Sequence, residues 1–131
     1  MLDTNVCVGL LRGSRRSGTR WLTKHPVDQV GLSMITLAEL WYGVSKSADA
    51  EGNRSAVIDF CTALAIAPFD AQAAAAYGEV RARLERSGTP IGPLDTLIAA
   101  HALSLDAVLV TNNQREFQRV SGLRLDSWSP R

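Results

Sequence analysis

Residues 65–86 read AIAPFDAQAAAAYGEVRARLER, and the change of rhythm inside this stretch decides the fold class. Ala65 to Phe69 is a short apolar run of β type, closed off by Pro68 and Asp70. From Asp70 the pattern changes. Ala73, Ala76, Tyr77, Val80 and Leu84 fall at helical spacing, so one apolar stripe runs along a helix from Asp70, its N-cap, to Arg86. Working outward, the same alternation recurs. Short β-type runs at Met1 to Thr4, Val30 to Met34, Ala107 to Thr111 and Leu123 to Leu125 are separated by helical patterns. Leu37, Leu40, Trp41 and Val44 mark a helix from about Thr36, and Leu94, Leu97, Ile98, His101 and Leu105 mark one from about Pro93. The pair Gly88/Pro90 and the pair Gly92/Pro93 make the stretch between two helices a loop. Strands alternating with helices predict an α/β layered domain, a mostly parallel central sheet flanked by helices.

A chain of 131 residues is long enough for one domain with a hydrophobic core and too short for two, so residues 1–131 are read as a single domain. With 46% hydrophobic and 21% charged residues, wholesale disorder is excluded. No apolar run approaches the roughly 18 residues that span a bilayer, and Met1-Leu-Asp opens no signal-type leader, which predicts a cytoplasmic protein without a membrane partner. Cys7 and Cys61 belong to no Cys/His cluster and read as small buried apolar residues. The net charge of +1 argues against a nucleic-acid coat protein and leaves room for an enzyme with a local basic face. Arg12, Arg15, Arg16, Arg20 and Lys24 are a segment that could track a polyanion backbone or line a solvated helix face.

In open α/β sheets ligands bind beyond the carboxyl ends of the strands, so acids there matter most. Asp3 follows the first apolar run. Glu39 lies in the first turns of the helix after Val30 to Met34, Asp95 in the first turn of its own helix, and Asn112 and Asn113 directly after Thr111. Several carboxylates at one edge repel one another unless a cation neutralises them. The oxygen-only donor set suits Mg²⁺ or Mn²⁺, and hydrolysis of a phosphodiester by such a site needs no histidine. Taken singly, Asp3 and Asp95 fit helix capping, and Glu39, opposite its helix's apolar stripe, fits a solvated face. His101 reads as a core histidine and His25 as a loop residue.

Four ordered blocks shift the balance: residues 1–5 (MLDTN), 33–43 (SMITLAELWYG), 88–102 (GTPIGPLDTLIAAHA) and 110–117 (VTNNQREF). Together they closely resemble the VapC toxin branch of the PIN-domain family, from the first residue to the region of Trp128. The resemblance implies a PIN fold and a Mg²⁺- or Mn²⁺-dependent endoribonuclease with Asp3, Glu39 and Asp95 as metal-site acids. It also implies an RNA substrate, with tRNA and the anticodon region of initiator tRNA first in line. The implied partners are a small VapB-like antitoxin, in a toxin–antitoxin hetero-oligomer, and a second copy in a homodimer, for which Trp41 and Tyr42 are candidates. At the fourth acid position of many PIN domains this chain has Asn113, and Glu116 is the nearest acid that could substitute. Only two residues precede Asp3, fewer than in many members, which implies a short first strand or a start upstream. Two other readings compete. A haloacid-dehalogenase-type phosphatase needs a second aspartate where Asn5 stands, and a PIN-like binding module without catalysis would account for Asn113.

Overall fold

The computed structural model describes residues 1–12 and 24–127. Strand β1 (Gly31–Ser33) pairs in parallel with β2 (Ala65–Ala67), and β3 (Leu109–Val110) with β4 (Leu125–Asp126). Leu2 joins the two pairs through parallel bridges to Leu32 and Val110, which gives the order β2, β1, Leu2, β3, β4. Parallel neighbours require crossovers, and helices supply them: α1 (Thr4–Leu11) after Leu2, α2 (Met34–Ser45) and α3 (Ala50–Ala63) after β1, α4 (Ala71–Arg86) and α5 (Pro93–Ser104) after β2, and the single turn α6 (Gln114–Phe117) after β3. The architecture is the α/β fold expected. Among the described residues no helix is long and apolar enough to cross a membrane.

Three of the apolar runs are cut short by a capping or turn residue. The run Met1 to Thr4 is reduced to Leu2, since Asp3 already caps α1. Ser33 ends β1 by capping α2 with its side chain, so that helix begins at Met34 rather than Thr36. Pro68, which has no N–H to donate, follows the last residue of β2. The final strand is Leu125–Asp126, displaced from Leu123 to Leu125.

Helix α4 matches its expectation: Asp70 Oδ1 accepts the Ala73 N–H at 3.0 Å, and Ala73, Val80 and Leu84 are buried. Helix α5 corrects one. Leu94 and Leu105 of the expected stripe are 45% and 49% exposed, whereas Thr96, Ile98, Ala99, Ala100, His101 and Ala102 are buried. Packed along α4 and also touching α2, α5 is covered on most sides, and its small alanines allow that close approach. Apolar periodicity does not announce α3, where Val57 alone is fully buried while Phe60 and Cys61 are partly covered.

The core has two parts. One groups Leu2, Val6, Cys7, Leu32, Leu40, Val44 and Val57 beneath α1, α2 and α3. The other groups Val80, Leu84, Ile98, Leu109, Phe117 and Val120 beneath α4, α5 and α6. Cys7 is buried as expected; Cys61 is only half-buried, and both thiols are free. Trp41 packs against the first core part, so it serves the monomer, whereas Tyr42 is 66% exposed. Arg15, Arg16, Arg20 and Trp128 lie outside the described residues.

Candidate active site

Asp3 is 4% exposed and stands where the chain leaves the sheet centre to enter α1. Its Oδ1 accepts the Val6 N–H at 2.8 Å, and its Oδ2 accepts the hydroxyl of Thr111. That hydroxyl oxygen in turn accepts the Asn113 N–H at 2.9 Å. Burial raises the pKa of Asp3, while donors from Thr111, Val6 and Asn5 oppose the rise. The capping role and a place in the pocket are therefore compatible: one oxygen caps the helix, the other meets the end of β3.

Glu39 projects from α2 on the side away from Leu37, Leu40 and Val44, where it is half-buried rather than fully solvated. Thr4 Oγ1 donates to Glu39 Oε1 at 2.6 Å and lies 3.4 Å from Thr36 Oγ1, tying α2 to the start of α1. Asp95 sits in the first turn of α5, whose start is set by Gly92 as N-cap and Pro93. Glu116, from α6, reaches back to the same turn: its Oε1 accepts the Gly92 N–H at 2.8 Å and its Oε2 accepts Asn113 Nδ2 at 2.7 Å. A point where a Cβ would stand on Gly92 is 3.5 Å from Asp95 Oδ2 and 3.8 Å from Glu116 Oε1.

Electrostatics links the four acids. The Asp95 carboxyl is pushed up to about 6, first by burial and then by the charges of Glu116, Glu39 and Asp3. Glu116 is held below its ordinary value by the Gly92 N–H and the Asn113 amide, with Arg119 adding a smaller effect. Asp95 has no comparable donor among the described residues. The charges of Glu116, Glu39 and Asp3 all act on Asp95, and Asn113 turns its N–H₂ toward Glu116, an orientation assigned from the hydrogen-bond network. Among the described residues no three Asp, Glu, His or Cys side chains close around one common ion position. Three of the acids are turned instead toward donors of their own surroundings.

The donor chemistry fits a hard divalent cation: oxygen ligands only, with one half-buried carboxylate whose charge is opposed by three others. Gly92 is the functional group that residue types alone did not disclose. The signal was there in Gly92-Pro93 before a helix, which leaves a backbone N–H free for an acid.

Residues 1–123 match the model of the PIN domain family. The chain is 42% identical to the tRNA(fMet)-specific endonuclease VapC of Salmonella typhimurium, with 98% of this chain and 96% of that protein covered. It is 44% identical to Ribonuclease VapC2 of Rickettsia felis, again over 98% and 96%. Superposition on the crystal structure of DNA-bound VapBC from Salmonella typhimurium gives a TM-score of 0.95 at 41% identity, covering 98% of this chain and 97% of that one. With the sheet, the acid-lined edge and full-length similarity in agreement, the chain belongs to the PIN-domain family and, within it, to the VapC-type endoribonucleases.

Proposed function

We propose that the chain is the metal-dependent endoribonuclease of a toxin–antitoxin pair, acting on tRNA in the cytoplasm, with Mg²⁺ or Mn²⁺ held by Asp3, Glu39 and Asp95. The observation that carries this reading is the similarity over 98% of the chain to VapC ribonucleases, and the opposition of Glu116, Glu39 and Asp3 to the charge of Asp95 agrees with it. A pocket that destabilises its own negative charge favours a bound cation. Bound there, a divalent ion would lend positive charge to the scissile phosphate and lower the pKa of an attacking water. The protein's own part is to hold the acids. Thr111 and the Val6 N–H fix Asp3, Thr4 fixes Glu39, and Gly92 and Asn113 fix Glu116. Glu116 takes the place of the fourth family acid, and Asn113 acts through it. Water adds across a P–O bond of the RNA backbone, so no other co-reactant is required.

Relatives named tRNA(fMet)-specific endonucleases make initiator tRNA the first substrate to test. The similar VapBC structures support a small antitoxin as partner, and an acid pocket suits an Arg or Lys that competes with the metal. A homodimer is part of this reading, with the exposed Tyr42 as its candidate contact in place of Trp41.

The experiment is to incubate the purified chain with initiator tRNA in Mg²⁺, in Mn²⁺ and with a chelator, alone and with the product of the neighbouring antitoxin-type gene. Cleavage that needs the metal and stops with the partner is the expected result. Metal-independent cleavage would remove the cofactor, and no cleavage of any RNA would leave a binding module.

A further inference from the structure

Away from the acids, two buried polar side chains connect the helices that carry them. His101, 1% exposed, lies on α5, the helix of Asp95; Ser33, 0% exposed, ends β1 and caps α2, the helix of Glu39. Ser33 Oγ stands 2.7 Å from His101 Nδ1 and also accepts the Ile35 N–H at 3.0 Å. Ser33 is buried, and Nδ1 is the one acceptor that its hydroxyl proton meets among the described residues, so Ser33 is assigned as the donor and the ring proton is placed on Nε2. Burial favours this neutral ring, opposed by the charge of Asp70 and by the nearby Pro68 carbonyl. Nε2 is buried without a hydrogen-bond partner, and Phe69 meets the ring edge-on with centroids 5.2 Å apart. The contact at Nδ1 is the ring's link to the α2 cap.

We propose that His101 is a positioning residue for the acid pocket: through Ser33 it holds the start of α2, and with it Glu39, at a set place relative to α5 and Asp95. This rests on the metal-dependent reading of the pocket. Thr4 grips only the tip of Glu39. The backbone that presents Glu39 is set by the cap, and the cap hydroxyl is oriented by the imidazole. Carboxylates that share an ion tolerate little change in separation, so loosening this joint acts on the metal before it acts on the fold.

The variants separate positioning from packing. His101→Phe keeps the ring volume and the contact with Phe69 but loses the acceptor. His101→Asn keeps an acceptor near the Nδ1 place and loses volume. Mn²⁺ affinity of the isolated chain is measured by electron paramagnetic resonance, together with kcat and KM on RNA and the thermal midpoint. We expect His101→Phe to weaken Mn²⁺ binding about tenfold and to lower kcat by a similar factor with KM little changed. His101→Asn should be the less stable of the two yet regain most of the Mn²⁺ affinity, and Ser33→Ala should weaken Mn²⁺ binding as His101→Phe does. Nitrogen NMR of the wild type should show the Nε2–H tautomer near neutral pH. Wild-type Mn²⁺ affinity in a folded His101→Phe, or affinities that merely follow the thermal midpoints, would overturn the proposal. Should His101→Phe fail to fold, unchanged Mn²⁺ binding by Ser33→Ala overturns it. Failure of the underlying reading is visible in the wild type alone, as no Mn²⁺ uptake; failure of the proposal is visible only as equality between wild type and variants.

Discussion

The two halves of the core hold their acids differently. Asp3 and Glu39 belong to the half beneath α1, α2 and α3, and each accepts a threonine hydroxyl, Asp3 while almost fully buried. Asp95 and Glu116 belong to the half beneath α4, α5 and α6; there Glu116 collects two donors and Asp95 none among the described residues. The first half is an organised platform, and the second keeps one carboxylate in reserve. Charge that a protein leaves uncompensated is where a cation gains most, so Asp95 should dominate binding and chemistry while Asp3 also supports the fold.

The contrast can be broken most directly at Asp95. Asp95→Asn should reduce RNA cleavage about a thousandfold, since loss of one charged metal ligand forfeits several kcal/mol of transition-state stabilisation. The metal-free variant should be at least as stable as wild type at pH 7, and cleavage within a few-fold of wild type would break the comparison. Next, Glu116→Gln should cost more activity than Asn113→Ala, with the latter losing about 10- to 100-fold as expected for a residue acting through another. The reverse order in single-turnover rates would make Asn113 the direct participant.

Smaller effects sharpen the comparison on the stability side. Thr111→Val strands a buried Asp3 oxygen and should cost about 2 kcal/mol in denaturant unfolding, against about 1 kcal/mol for Thr4→Val, whose partner Glu39 is half-buried and can turn to water. Equal losses would mean the two halves are not differently organised. Last is the pH dependence of the metal-free protein. The Asp95 carboxyl rises from 3.8 to about 6 on folding, so the native state binds the proton more tightly than the unfolded chain. The associated stability is present below pH 3.8 and is lost as pH climbs through about 6, by about 1 kcal/mol once solvent screening is allowed for. Thermal midpoints of wild type and Asp95→Asn across that window should converge as pH falls, and Mg²⁺ should raise the wild-type midpoint at pH 7.

Local signals carried much of the architecture. The Asp70 cap and the stripe through Ala73, Val80 and Leu84 located α4 at both ends, because caps and helical periodicity act within a turn or two of the residues that encode them. Gly92-Pro93 started α5, and the apolar runs located every strand within a few residues. The acids themselves were legible through their place after strands and through the four motif blocks.

What the sequence by itself determined was therefore the alternation of strands with three of the helices, the mostly parallel sheet and the candidate acids. Only the tertiary structure decided which faces are inside. Glu39, opposite its own apolar stripe, is drawn to Thr4 because α1 lies against that side of α2. The alanine side of α5 is buried and Leu94 and Leu105 are not, because α4 and α2 cover it. Asn113 serves as a donor to Glu116, and His101 finds Ser33, across separations that no local pattern spans. The physical reason is range: capping and periodicity are settled between neighbours along the chain, whereas burial, charge repulsion and side-chain pairing depend on which distant segments folding brings together.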